Sequence, residues 1–317
     1  MKIVRNGIDL KNDYAWFDIK NIEEETYLLC DVFFQKNENS VVVIEQGTHV
    51  TKALFEKLAK KEGLYVKKGD EHKYKIKCEN LQDFIGYNRT NNKQNLLFLY
   101  LITHRVLRDY LESQNNEIDL DCVAKIVKSI ISLIHHDKNY IHKTITNFVN
   151  SHDFKTHSLH VCFYSIHLAH KLKLTQNQLM QVGTAAFLHD VGLKKIDSHI
   201  IENSKELTFE ELELVHEHPK YSVEILKENH IHDPFILDAV LHHHESYEGG
   251  GYPDKLTHLQ ISPFASILSL ADIFDALTSD RPHRKAMDTF KALSVMKEDL
   301  RKGKINERYF KVFVKSI

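Results

Sequence analysis

At 317 residues, with 42 lysines and arginines against 44 aspartates and glutamates, 42% hydrophobic and 27% charged residues, the chain has a globular composition, which excludes collagen-like, disordered and disulfide-scaffold classes. Its length predicts two domains at roughly 100–200 residues each, every one able to bury its own core. A net charge of −2 leaves no excess of cations to neutralise phosphates, which argues against a nucleic-acid polymer or an acidic membrane surface as partner.

Met1 to Leu10 alternates polar and apolar residues and lacks the apolar core of a secretion signal. Thr26–Phe34 and Ser40–Ile44, rich in β-branched and aromatic residues around the polar stretch Gln35–Asn39, predict a hairpin. Thr48–Lys61 carries Val50, Leu54 and Leu58 at helical spacing and ends before Gly63, a C-terminal cap. Leu64–Val66 and Lys73–Lys77 read as two further strands. Residues 1–88 are therefore expected to form a small α+β accessory or sensory module.

Residues 89–140 are expected to form a helical connector, with helices over Leu96–Leu111 and Cys122–Ile134 that serve core packing or pair between subunits of a homodimer. The longest apolar run, Leu96–Ile102, is far short of the ~20 residues a membrane span needs. Cys30, Cys78, Cys122 and Cys162 lie at least 40 positions apart and read as buried thiols of a cytoplasmic protein.

From residue 141 to 317 nearly every segment reads as helix. Thr175 with Gln178 and Thr208 with Glu211 fit the capping box, and Asp233-Pro234 and Ser262-Pro263 place an N-cap before a first-turn proline. The fold class is thus an α+β N-terminal module followed by an all-α domain. Of the 22 histidines, 16 fall between His142 and His258, inside that domain.

His189-Asp190 follows the apolar helical run Ala185–Leu188. Alone, the pair reads as a satisfied core histidine beside a helix end. The balance shifts with His157, His218, the adjacent His243 and His244, and Asp272 within the apolar stretch Ile267–Phe274. Imidazoles and carboxylates from five segments, with no cysteine among them, suit divalent ions of the Fe or Mn kind before structural zinc. His160, His167 and His170 share the helix of His157 and are read as non-ligands, and His242 is rotated ~100° from His243.

A histidine, a His-Asp pair and a distant aspartate resemble the HD phosphohydrolase superfamily, here at His157, His189-Asp190 and Asp272. His218, the His243-His244-Glu245 run, Gly251-Tyr252-Pro253 and the stretch from Ala271 to Pro282 resemble its HD-GYP subfamily of cyclic di-GMP phosphodiesterases, over roughly residues 145–315. The resemblance implies an all-helical domain with two or three metal ions, iron or manganese. It assigns His157, His189, Asp190 and Asp272 to one ion, a bridging role to Asp190, and His218, His243 and His244 to the second. Asp153, one turn before His157, is either a third-metal ligand or a solvated helix-start aspartate.

Two ions ~3.5–4 Å apart neutralise a phosphodiester and lower the pKa of a shared water, so that a bridging hydroxide attacks phosphorus with no protein nucleophile. The implied activity is hydrolysis of cyclic di-GMP to linear pGpG, with GMP as a further product. Tyr252 and Gly251 belong to the loop implied in substrate and protein-partner contacts. Arg281 and Arg284 offer guanidinium forks to phosphate, or pair with Asp280 or Asp288. Where the subfamily carries a phosphate-binding lysine after the glycine of the His-Asp-x-Gly run, Leu193 stands here. Lys194 is the substitute candidate as a catalytic, phosphate-contacting residue, against the plain reading of a solvated loop lysine. Leu193 also motivates two alternatives: a cyclic di-GMP receptor or scaffold without turnover, and a hydrolase of another cyclic dinucleotide.

Overall fold

The computed structural model describes residues 3–4, 14–19, 22, 26–28, 30–36, 39–45, 48–61, 63–68, 70, 78–81, 85, 92–136, 153–201, 207–281 and 284–317. The chain divides into two compact units, Met1–Ile102 and Thr103–Ile317. The first carries strands β1 (Ile3–Val4), β2 (Tyr14–Trp16), β3 (Thr26–Tyr27), β4 (Val32–Lys36), β5 (Asn39–Ile44), β6 (His49–Val50) and β7 (Leu64–Lys67), with helix α1 (Lys52–Ala59) between the last two. Antiparallel pairing orders five strands β1-β5-β4-β7-β2, while β3 pairs with β6.

The predicted hairpin is β4–β5, with Phe34 opposite Val41 and Lys36 opposite Asn39. Its first strand is shorter than the sequence pattern suggested. Thr26–Tyr27 leaves to pair with β6, and the Leu28 amide donates to the Thr48 carbonyl at 3.1 Å. Asp31, a poor strand former, separates the two pieces. Helix α1 starts later than expected because Thr51 caps it, accepting from the Leu54 amide, while His49–Val50 are taken into β6. Phe17, Val32, Ile44, Leu58, Leu64 and Val66 fill the apolar core behind the sheet. The strand expected over Lys73–Lys77 lies outside the described residues. Cys30 and Cys162 are free and buried; Cys78 and Cys122 are disulfide-bonded, which corrects the expectation of four thiols.

The two helices expected after the module are α2 (Asn92–Glu112) and α3 (Leu120–His136), and the boundary between the compact units falls within α2. Further on come α4 (Phe154–Lys171), α5 (Gln176–Leu188), α6 (Ser198–Ile201), α7 (Phe209–His216), α8 (His218–Glu228), α9 (Pro234–His242), α10 (Pro263–Thr278), α11 (Thr289–Arg301) and α12 (Glu307–Ser316). Both capping boxes and both N-cap-proline pairs stand where the sequence placed them, at the starts of α5, α7, α9 and α10.

Helix α4 is the axis of this unit. Every residue from Thr156 to Ala169 is buried, and the helix packs against α5, α10, α12 and α3. A helix buried on all sides is normally apolar. Here His157, His160 and His167 lie inside it, so each needs a polar partner brought by a neighbouring helix. None of the described helices is long and apolar enough to cross a membrane.

Candidate metal centre

Helix α5 ends on His189, whose backbone is still helical, and the chain tightens at once into a 3-10 turn over Val191–Lys195. Gly192 lets that turn lie flat on the start of α8. A β-carbon there would sit 2.2 Å from the His218 carbonyl oxygen and 2.5 Å from the Ser222 amide nitrogen, and the Gly192 amide donates to Ser222 Oγ at 2.8 Å. This close approach brings His218 Nε2 to 3.1 Å from Asp190 Oδ1. His243, closing α9, places its Nε2 3.6 Å from the same oxygen and 3.4 Å from His218 Nε2.

The other carboxylate oxygen faces the other way. Asp190 Oδ2 lies 3.3 Å from His189 Nε2 and 3.7 Å from His157 Nε2. Asp272, from the middle of α10, puts Oδ1 3.3 Å from His157 Nε2 and Oδ2 3.7 Å from His244 Nδ1. Two groups result, each with its ligand atoms within 4.8 Å of one another: Asp190, His218, His243 and His244; and His157, His189 and Asp272. Asp190 sits between them, one oxygen toward each.

The imidazoles are oriented from behind. His189, His218 and His243 each donate Nδ1–H to the carbonyl three residues earlier, of Ala186, Val215 and Val240, at 2.8, 2.7 and 2.7 Å. His157 Nδ1 meets Asp275 Oδ2 at 2.7 Å. A ring that donates through Nδ1 and is neutral carries a lone pair on Nε2, the state a metal ligand requires. All four Nε2 atoms point at the two carboxylates.

The electrostatics show what is lacking. Burial alone would raise Asp190 and Asp272, yet the surrounding imidazoles hold both carboxyls well below the usual range. Burial likewise opposes charge on His157 and His218, but Asp272 and Asp275 beside the first and Asp190 beside the second raise both. His243 and His244 are lowered, chiefly by burial. Two ionised acids thus draw positive charge into a pocket of half-suppressed imidazoles. His189 Nε2 and Asp190 Oδ1 are buried without a hydrogen-bond partner; the short His218–Asp190 approach lacks hydrogen-bond geometry. Orphaned acceptors of this kind cost about 1–3 kcal/mol each. A divalent cation in each group satisfies them, so the residues fit metal ions.

The Gly-rich loop closes one edge. A β-carbon on Gly251 would meet the Ser246 amide nitrogen at 2.2 Å, and the Tyr252 amide donates to the His244 carbonyl at 3.2 Å. Buried Glu245 accepts from the Asp254 and Leu256 amides at 2.7 and 2.9 Å, pinning the loop to the end of α9. Tyr252 then stacks on His216 (ring centroids 4.0 Å apart, 23° between planes) and lies 4.8 Å from the His244 ring.

Three expected site residues stand elsewhere. Asp153 caps α4, accepting from the Lys155 and Thr156 amides and the Thr156 hydroxyl, and belongs to neither group. Lys194 donates to the Tyr110 and Ser113 carbonyls at 2.6 and 2.7 Å, sealing the open end of α2, which corrects its expected reach to phosphate. Arg284 likewise caps the last turn of α10 through the Leu277 and Ala276 carbonyls. A cation near a helix C-terminus answers the free carbonyls there, a pull that local sequence does not display. Arg281 bridges backbone to backbone with Arg284, and its Nε is buried with no hydrogen-bond partner. Asp275 and His216 were not expected at the site. The first had a readable signal, lying one turn from Asp272 on the same helix face; the second is brought to Tyr252 only by the fold.

Known proteins are similar to this chain. Among curated proteins, the cyclic di-GMP phosphodiesterase PA4108 of Pseudomonas aeruginosa is 35% identical over 161 residues, 51% of this chain and 38% of its own length. The 3'3'-cGAMP-specific phosphodiesterase 3 of Vibrio cholerae is 33% identical over 171 residues, 52% of this chain and 36% of its own. RpfG of Xanthomonas campestris, a cyclic di-GMP phosphodiesterase response regulator, is 35% identical over 131 residues, 41% and 34%. The chain therefore matches little more than a third of these relatives' length. A solved structure, Bd1817, a HDG"Y"P protein from Bdellovibrio bacteriovorus, shares the fold at a TM-score of 0.62 and 16% identity, covering 95% of this chain and 98% of that one. The HD domain family matches residues 143–307, the stretch that holds all seven clustered side chains, and the chain belongs to that family.

Proposed function

We propose that the chain is a metal-dependent phosphodiesterase that hydrolyses cyclic di-GMP to linear pGpG, with GMP as the product of a second cut. The observation that carries this reading is Asp190, whose two oxygens face two separate histidine groups. His157, His189, Asp272 and Asp190 Oδ2 would hold one ion; His218, His243, His244 and Asp190 Oδ1 would hold the other. With imidazole and carboxylate donors and no thiolate, iron or manganese suits both. Divalent ions there supply charge neutralisation of the phosphodiester and acidification of water. The protein's own part is to aim the ring nitrogens at the two carboxylates, to hold the acids ionised, and to present Tyr252, Gly251 and Arg281 to the dinucleotide. In the overall reaction water adds to phosphorus, the P–O3′ bond breaks, and the ribose oxygen leaves with a proton.

The names of the curated relatives support a cyclic dinucleotide as substrate, and they include both cyclic di-GMP and 3'3'-cGAMP enzymes. The test is turnover by protein loaded anaerobically with Fe or Mn, offered both dinucleotides in competition. Cyclic di-GMP consumed first, with pGpG appearing, is the expected result. Preference for 3'3'-cGAMP reassigns the substrate, and absence of turnover of either overturns the reading. The first compact unit serves as accessory or sensory module, and the Gly251-Tyr252-Pro253 loop and a homodimer are the proposed protein contacts, to be checked by light scattering. A charged dinucleotide does not cross hydrocarbon, so the proposed location is the cytoplasm. The disulfide bonding of Cys78 and Cys122 runs against a reducing compartment; both alkylated as free thiols during extraction is the result expected in the cytoplasm, and both found oxidised overturns that location.

A further inference from the structure

Asp275 is 1% exposed, a carboxylate buried in the middle of the helical unit. A buried polar group is tolerated where partners satisfy it. Its partners are two histidines one turn apart on α4: Oδ2 accepts from His157 Nδ1 at 2.7 Å and Oδ1 from His160 Nδ1 at 2.9 Å, with Ser279 Oγ donating to Oδ1 at 3.2 Å. The contrast with the other rings is informative. His189, His218 and His243 satisfy Nδ1 on a carbonyl of their own chain segment, three residues back, and need no outside help. For His157 the orienting group comes from 118 residues downstream.

We propose that Asp275 is a positioning residue that fixes the ring of His157 so that its Nε2 faces Asp190 and Asp272, with His160 serving to hold the carboxylate in place. The inference rests on the metal-centre reading above. Helix α10 then supplies both a ligand, Asp272, and, one turn later, the group that aims a second ligand on α4. A carboxylate behind an imidazole also makes the ring a better donor than a carbonyl does. His160, which is buried and has no contact with the seven clustered side chains among its hydrogen bonds, acquires a role: without it, one carboxylate oxygen would keep only Ser279.

The experiment is Mn²⁺ binding by the full chain, counted by electron paramagnetic resonance with chelator competition, for the native protein and Asp275→Asn. The native chain is expected to bind a pair of ions. The variant, near-isosteric but with one oxygen replaced by an amide donor, should hold the ion of the Asp190–His218–His243–His244 group unchanged and lose affinity for the other by about 10–100-fold. A purely structural role would weaken both ions together or neither, and either result overturns the inference. Failure of the native chain to bind any Mn²⁺ would instead sink the metal-centre reading itself. If Asp275→Asn does not fold, His160→Leu carries the test: a smaller loss confined to the same ion is expected, and unchanged binding of both overturns the proposal.

Discussion

The two compact units solve burial in opposite ways. In the first, the described interior is almost wholly apolar: Phe17, Val32, Ile44, Leu58, Leu64 and Val66 close behind a sheet, and the buried polar side chain among its described residues is Asn95. In the second, the central helix buries three histidines, and three more clustered imidazoles, His189, His218 and His243, are buried beside it. An apolar core needs only volume and exclusion of water. A core of imidazoles and carboxylates needs each lone pair answered, and within the seven-residue cluster two atoms, His189 Nε2 and Asp190 Oδ1, are not. The difference teaches that the described core of the first unit is completed by its own apolar side chains, whereas the second holds a cluster of imidazoles and carboxylates that a cation would complete.

That contrast is open to attack. Asp190→Asn should have the largest effect. Replacing one oxygen of the shared carboxylate should empty both ion sites and lower phosphodiesterase turnover by on the order of 10²–10³-fold, the loss typical of removing one preorganised electrostatic group. Elemental analysis and product assay check it, and full metal content in the variant would break the shared-carboxylate reading. Leu64→Ala in the first unit should do the reverse: about 2–5 kcal/mol of stability lost in denaturant titration, with the metal content of folded protein unchanged.

A third prediction concerns a buried histidine away from the metal site. His167 donates Nε2–H to the Ser316 carbonyl at 3.0 Å, and burial lowers its pKa from 6.5 to about 4. Because the folded value is depressed, its stabilising contribution is complete above pH 6.5 and is lost as pH falls toward 4. His167→Gln should therefore flatten the acid side of the stability profile by ~3 kcal/mol across that window; an unchanged slope would show that the ring is already protonated in the fold. The smallest expected effect is that of Gly251→Ala. Its β-carbon meets backbone on three sides, at 2.2–2.5 Å from atoms of His244, Glu245 and Ser246. The loop must shift, at about 1–3 kcal/mol, and the Tyr252–His216 stack should loosen, raising KM more than it lowers kcat.

Much of this was legible in the sequence because it is local. Helix starts at Thr175, Thr208, Asp233 and Ser262 are set by a side chain answering amides two or three residues ahead, so four-residue patterns suffice to find them. The seven clustered side chains were also recoverable, since each candidate stood out as a titratable group in or beside an apolar segment, and the His-Asp pairing with a distant aspartate resembles a known superfamily. The break in the first hairpin strand was less visible, because β3 finds its partner in β6, more than twenty residues away, and strand pairing is decided by tertiary context.

What residue order determined by itself was therefore which atoms are available and which short segments are helical. Only the tertiary structure decided how the available charges are spent. Lys194 and Arg284, adjacent to the motifs, have the chemistry to bind phosphate, but the free carbonyls at the ends of α2 and α10 lie within reach and take them. Asp275 and Asp272 are one turn apart and chemically identical. One became the orienting group behind His157 and the other faces the clustered imidazoles, because α4 crosses α10 with His157 between them. A carboxylate's role follows from which nitrogen reaches it and what else is excluded from the space around it, and both are properties of helices packed against each other, not of neighbours along the chain.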